Sequence, residues 1–284
     1  WIPAYVRYVG YFSNFILLAS FLGVGLGILL GRRSWKFPPF AFVLIALVIV
    51  VRVNRLELKL SSTQVLYYGA GEGPVRQEHY FVLPLVITLI VLAFIPLARP
   101  LGALLGSMPR LRAYAVDIAA GLAGIAAFFV MALLSLPPLA WFLVLTALVV
   151  SLAGPRSLTI ASVPLVAVLA IVFGMQRDTK WSPYYKITVL PADGGGVAIN
   201  VNNVGHQIAT SYTNKESFYS RVYDLFPGET FGKALILGSG SGSDTSLALA
   251  HGVGSIDAVE IDPTILDLGK KFHPDRPYDD PRVK

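Results

Sequence analysis

The sequence contains no cysteine. Disulfides, thiolate nucleophiles and cysteine-based zinc sites are thereby excluded, although the compartment is not fixed. Charge is scarce too: 14% of residues are Asp, Glu, Lys or Arg, beside 55% hydrophobic residues. Ordinary soluble domains carry about 25% charged residues, so this balance belongs to the membrane class. The only histidines are His79, His206, His251 and His273, and their spacing is not that of metal ligands, so no metal is expected. The net charge of +6 raises the question of nucleic acid. No basic stripe with interleaved aromatics occurs, however, and Lys and Arg gather at the ends of apolar runs, as membrane-flanking residues do. No nucleic-acid partner is expected. The chain opens on Trp1 without a charged segment and cleavage site, so its start reads as a cut with no signal peptide in view.

What is present divides sharply. Residues 1–176 read as a membrane domain, and 177–284 as a polar globular region. A hydrocarbon core about 30 Å thick needs around 20 apolar residues in helix. Six segments qualify, at about 8–30, 37–53, 80–98, 113–134, 137–153 and 158–174, the second and fifth near the short limit. In the first, Gly23, Gly27 and Gly31 recur every fourth residue, giving a face that lets another backbone approach. "AGLAG" at 120–124 predicts similar packing in the fourth. Asp117 is the one acid inside a predicted span, a turn or so from its end and near Arg110 and Arg112, which points to interfacial pairing. The scarcity of other polar groups in the spans counts against a transporter.

Orientation is finely balanced. Seven basic residues (Arg32, Arg33, Lys36, Arg99, Arg110, Arg112, Arg156) fall on one side and eight (Arg7, Arg52, Arg55, Lys59, Arg76, Arg177, Lys180, Lys186) on the other. The positive-inside rule does not decide between the two sides by count. The dense clusters "GRRSWK" and "MPRLR" point to their side being cytoplasmic, which with six spans puts the C-terminal region outside. A nucleotide substrate, held in the cytosol, argues the other way and favours a cytosolic C-terminal region.

In that region, "YYKITVLPADGGGVAINVN" alternates about a glycine-rich turn and predicts a hairpin, roughly 184–190 and 197–202. "NKESFYSRVYDLF" has helical spacing, with Phe218, Val222 and Leu225 or Phe226 on one face. These elements make up residues 177–232. From 233 to 284 the order is strand ("ALIL"), glycine loop, helix ("DTSLALAHG"), strand ("IDAVEID") and helix ("PTILDLGKKF"). That order begins a doubly wound, Rossmann-like α/β sheet.

The loop "GSGSG" supplies Gly238, Ser239, Gly240, Ser241 and Gly242, with Asp244 following. Its glycines permit a tight turn and close backbone approach to a ligand at a helix N-terminus. Glu260, 22 residues after Gly238, ends the second strand beside Ile261, where a carboxylate can accept from both hydroxyls of a ribose. The loop lacks the Gly-Lys-Ser/Thr ending of a Walker phosphate loop.

"ALILGSGSGSD", "AVEIDP" and "YDDPRV", with the upstream "WSPYYKI" strand, Gln207 and "KESFY", resemble the spermidine synthases and their relatives. Those enzymes share the fold of S-adenosylmethionine-dependent methyltransferases. The resemblance covers roughly 181–284. The segments "GYFSNFILLASFLG" and "LPPLAWF" resemble the multi-span part of membrane-bound spermidine synthase-like proteins. The resemblance implies a multi-pass protein of a bacterial-type inner membrane, in contact with the lipid bilayer. It implies a nucleoside donor, decarboxylated S-adenosylmethionine or S-adenosylmethionine, as co-substrate, an amine acceptor, and no tightly bound cofactor. A homo-oligomer stays open.

By the same resemblance, Glu260 grips the donor ribose, while Tyr185, Gln207 and Tyr219 lie on the substrate side. The departures fall on the amine half of the site. Ser241 stands where the family's loop has an acid for the aminopropyl amine, with Asp244 one turn on as a substitute. Tyr185 stands where a glutamine is expected, and Ser220 where the family has a histidine. The family's catalytic aspartate, the general base, is expected beyond Lys284, so residues 1–284 read as the front half of an enzyme with no catalytic residue of their own. Aminopropyl transfer is the leading expectation. Alternatives are a methyltransferase of the same fold and a non-catalytic membrane carrier or sensor with a nucleotide-binding domain.

Overall fold

The structure, a computed structural model, describes residues 1–6, 9–10, 12–30, 39–54, 81–192 and 196–284. The expectations for residues 7, 31–36, 55, 59, 76 and 79 and for the glycine-rich turn at 193–195 lie outside them. The described chain divides into two compact units, one ending at Arg177 and the other beginning at Asp178.

The first unit is helical: α1 Ser13–Leu30, α2 Phe40–Val53, α3 Val82–Gly106, α4 Arg110–Leu133, α5 Pro138–Leu152 and α6 Pro155–Met175. Four of these, α1, α3, α4 and α6, are long and apolar enough to cross a membrane. The other two have 14 and 15 residues. At 1.5 Å per residue they reach only about 21–23 Å, short of a hydrocarbon core about 30 Å thick. Among the described residues six apolar helices are therefore present, and the expectation of six full spans reduces there to four by length. The third continues to Gly106, past the expected end at residue 98, with Pro96 and Pro100 inside it. Ser107 closes it, donating its hydroxyl to the Leu104 carbonyl at 2.7 Å.

The glycine face of α1 packs as its spacing predicts. A Cβ on Gly23 would lie 2.7 Å from Phe94 Cβ and from the Val91 carbonyl, and one on Gly27 would lie 2.7 Å from Ala98 Cβ and from the Ile95 carbonyl. The backbones of α1 and α3 thus approach at a distance that only glycine allows. The "AGLAG" expectation fails. Nothing lies within 4 Å of a Cβ built on Gly121 or Gly124, and α4 buries no residue. Asp117 likewise makes no ion pair or hydrogen bond with Arg110 or Arg112 among the described residues. A second core joins α2, α5 and α6 through Leu44, Val48, Phe142, Leu165, Val168 and Val172.

The second unit opens with an antiparallel meander: β1 Lys180–Trp181, β2 Lys186–Pro191, β3 Val197–Val201 and β4 Val204–Ala209, in that order. The β2–β3 hairpin falls within two residues of expectation. The strand β4 is an addition to the expected elements, although its signal is in the sequence. Asn202 and Asn203 form a two-residue turn with φ of 50° and 65°, and Asn tolerates that left-handed region. The helix expected across residues 214–226 is broken into 3-10 turns at Tyr212–Asn214 and Ser217–Ser220 and a single helical turn, α7 Arg221–Asp224. Its apolar side chains Phe218, Val222, Leu225 and Phe226 are exposed, not shared on a buried face.

Then come β5 Lys233–Leu237, α8 Ser243–Ala250, β6 Ser255–Val259 and α9 Pro263–Phe272. The strands β5 and β6 pair in parallel from Lys233↔Ser255 to Leu237↔Val259. Along the other edge of β6 the chain returns in parallel: Ile256 N–H donates to Arg282 O at 2.8 Å, and Ala258 N–H to Lys284 O at 2.9 Å. One face of this sheet packs through Ile256 and the half-buried Ala234, Ile236 and Ala258 against Ala248 and Val253. The other is open, with Leu235 64% and Leu237 76% exposed. The meander is tied in separately, by Ile187 and Ile199 against Ile265 and Leu268 of α9.

Candidate nucleoside and amine site

The loop after β5 follows from its glycines. Gly238, Gly240 and Gly242 have φ of 73°, 58° and 103°, values that side-chain-bearing residues rarely adopt. This left-handed path lets the N–H groups of Gly238 and Ser239 both donate to the Val259 carbonyl, at 2.8 and 3.0 Å. The loop is thereby hung on the end of β6, and Gly242 caps the start of α8. Close packing adds a second requirement. A Cβ on Gly240 would lie 2.5 Å from Gln207 Oε1, and one on Gly269 of α9 would meet the Ser241 backbone at 2.6 Å.

Three side chains from three segments hold the loop. Glu260 Oε2 accepts the Gly240 N–H at 2.8 Å, while its Oε1 accepts the Asp262 N–H at 2.9 Å. Gln207 Oε1 accepts the Ser241 N–H at 2.7 Å. The Tyr278 hydroxyl donates to the Gly240 carbonyl at 2.8 Å and lies 3.0 Å from the Ser239 hydroxyl. Both polar groups of the Gly240 backbone are therefore fixed by side chains remote in sequence. Tyr278 is not among the site residues that sequence reasoning points to, although the run "YDDPRV" that carries it is part of the resemblance. Only the fold shows that it reaches back over the loop.

The loop's acid is itself supported. Asp262, fully buried, caps α9 by accepting from Thr264 N–H at 2.9 Å and also accepts from the Ser182 hydroxyl at 2.6 Å. Asp followed by Pro263 at the first helical position is a readable helix start. Ser182 in turn accepts from the Tyr185 N–H at 3.0 Å, so the turn before β2 is anchored to the end of β6.

The predicted site residues fall into three groups. The loop residues, Gln207 and Glu260 are brought together as described. Beside them Ile261 projects outward, 70% exposed. Tyr185 stands next to His206, ring centroids 6.5 Å apart. Burial lowers the pKa of His206, against the pull of Glu260 and Asp262 in the opposite direction. Tyr219 and Asp244 form the third group with Lys215 and Glu216. Lys215 Nζ lies 4.9 Å from the centre of the Tyr219 ring and donates to the Ile208 carbonyl at 2.7 Å. Burial raises the Tyr219 pKa, reinforced by Asp244 and Glu216. Burial raises that of Asp244 as well, opposed by Lys215.

One hydroxyl of the loop stands out chemically. The side-chain oxygen of Ser241 is fully buried and makes no hydrogen bond within the fold. Among the described residues no group of three or more His, Cys, Asp or Glu side chains is placed to hold a metal ion. No family model matches the sequence, and no curated protein is significantly similar to it.

Proposed function

We propose that this protein is an integral membrane transferase of the spermidine synthase-like kind, with residues 233–284 opening a Rossmann-like domain that binds a nucleoside donor. The observation that carries the reading is Glu260. Its carboxylate stands at the end of β6 facing a left-handed glycine loop at a helix start, and each oxygen accepts only one main-chain N–H. A carboxylate oxygen has capacity for two such bonds, so both ribose hydroxyls can be received without breaking the loop's support. The order of β5, α8, β6 and the returning Arg282–Lys284 strand supports the same reading, because it places the loop at the carboxyl ends of parallel strands. The four long apolar helices support a membrane location, and a cytosolic donor places the second unit on the cytosolic side.

In the proposed reaction an amine nitrogen attacks the methylene next to the sulfonium of decarboxylated S-adenosylmethionine. The carbon–sulfur bond breaks with its electron pair going to sulfur, methylthioadenosine leaves, and the new ammonium gives up one proton. No residue from 178 to 284 is assigned as the base for that proton. Ser241 favours a second reading, methyl transfer from S-adenosylmethionine, since a neutral hydroxyl gives the decarboxylated donor's amine no counter-charge. The test is titration of the full protein with methylthioadenosine. Glu260→Gln removes a charge-assisted acceptor, typically worth about 1.5–3 kcal/mol, so affinity should fall roughly tenfold or more. Unchanged binding would sink the nucleoside reading.

A further inference from the structure

The contact between Tyr278 and the glycine loop is built from both sides. Tyr278 sits on a 3-10 turn, Pro277–Asp279, entered through Arg276, whose φ of 47° lies in the left-handed region. A residue with a long side chain holds that conformation at a cost, so the structure around it has to enforce the turn. The exit of the turn is fixed by Asp280, which accepts from Arg282 Nε at 2.9 Å and from Arg282 Nη2 at 2.8 Å. On the loop side Gly242 gives clearance. A Cβ there would lie 2.6 Å from Pro277 Cγ and 3.1 Å from Tyr278 Cε2. The ring therefore lies directly on the loop, with its hydroxyl on the Gly240 carbonyl at 2.8 Å. Burial raises the phenol pKa, the Ser239 bond opposing and Glu260 reinforcing, so the hydroxyl keeps the proton that it donates.

We infer that Tyr278 is a positioning residue, a latch that holds the glycine loop in the form that receives a nucleoside. It acts through one residue of the loop. The Tyr278 hydroxyl fixes the Gly240 carbonyl and the Glu260 carboxylate fixes the Gly240 N–H, so two remote side chains hold Gly240 from opposite ends. Glycine at three of five loop positions makes many other conformations accessible. Loss of the hydroxyl frees the Gly240 carbonyl, lets the loop leave Glu260 and dilutes the binding-competent form. Apparent affinity falls with the fraction of protein in that form. The inference rests on the nucleoside reading of Glu260 for its ligand.

The experiment uses the full protein in detergent and Tyr278→Phe, which removes the hydroxyl and keeps the ring on Gly242. Two readouts separate the latch from the nucleoside reading. Without ligand, amide hydrogen exchange across residues 238–242 should quicken by roughly threefold or more, with β2 and β3 unchanged. Unchanged loop exchange overturns the latch. In titrations with methylthioadenosine, Tyr278→Phe should weaken binding by about threefold to tenfold, the worth of one neutral hydrogen bond. Combined with Glu260→Gln, the two losses should be less than multiplicative, because both substitutions act through Gly240. A residue that served only the stability of the fold would give independent, multiplicative losses, and that result refutes the positioning role. Faster loop exchange with unchanged affinity refutes it as well. Wild type that fails to bind methylthioadenosine sinks the nucleoside reading, while the exchange rates still decide whether Tyr278 holds the loop.

Discussion

Glycine does opposite work in the two units. In the helical unit Gly23 and Gly27 have ordinary helical backbone, and what matters is the missing Cβ, which lets α1 press against Val91, Phe94, Ile95 and Ala98 of α3. In the second unit Gly238, Gly240 and Gly242 supply left-handed dihedrals, and the loop they form is then held by Gln207, Glu260 and Tyr278. One unit is fixed at its glycines by dispersion between close backbones, and the other by directional hydrogen bonds. The first kind of contact is insensitive to pH and intolerant of volume; the second tolerates little change in charge.

The largest effect that would test this contrast is overpacking at Gly27. Leucine there would drive side-chain atoms into the Ala98 methyl and the Ile95 carbonyl, where a Cβ alone is already at 2.7 Å. Insertion of bulk into a well-packed contact costs about 1–3 kcal/mol, and backbone on the receiving side leaves little room to yield. Gly27→Leu should lower the melting temperature of the detergent-solubilised protein by several degrees. A melting temperature equal to wild type would show that α1 and α3 are not in this contact.

The next effect belongs to the second unit and runs with pH. His273 is buried, its Nδ1 accepts the Asp275 N–H at 3.2 Å, and its Nε2 has no partner. Burial lowers its pKa to about 4, with Asp275 opposing and Lys215 assisting. An unfolded histidine titrates near 6.5, so between about pH 6.5 and pH 4 the unfolded chain binds the extra proton and the folded one does not. Stability is therefore full above about pH 6.5 and is lost as the pH falls toward 4, by on the order of 2 kcal/mol. Denaturant titrations at pH 7 and pH 4.5, for wild type and His273→Gln, measure it. Equal pH dependence in the two proteins would refute the assignment to His273.

The same contrast explains what the sequence discloses. Apolar helices are legible because length and hydrophobicity are local properties, and all six segments form helices. The glycine loop and Glu260 are legible because strand, loop, helix and acid follow one another at a set interval. Contacts across long separations are not. Nothing local in "YDDPRV" says that Tyr278 reaches the Gly240 carbonyl, and nothing in "KESFY" says that the Glu216 carboxylate is buried without donors. The broken helix at 214–226 fails for a related reason. Its apolar periodicity presumes a surface to pack on, whereas Leu235 and Leu237 of β5, with Tyr219 and Val222, line an open groove of about 740 Å³.

The smallest expected effect is the most instructive, because it sets two similar motifs against each other. In sequence, the small residues of α4 at Gly121 and Gly124 read like those of α1, and both predict close helix packing. A small-residue face gives a helix the capacity for close approach but does not name a partner, and in α4 none is found within 4 Å. Alanine at either position adds one methyl into open space and replaces glycine in a helix interior, where Ala is favoured by roughly 1 kcal/mol in water. Gly121→Ala and Gly124→Ala should therefore leave the melting temperature unchanged or raise it slightly, while Gly23→Ala lowers it, since a Cβ there meets the Val91 carbonyl at 2.7 Å. Measuring the three substitutions side by side in one detergent separates capacity from contact. A loss at Gly124 as large as that at Gly23 would mean that α4 presses this face against another helix, and the distinction between the two motifs would fall.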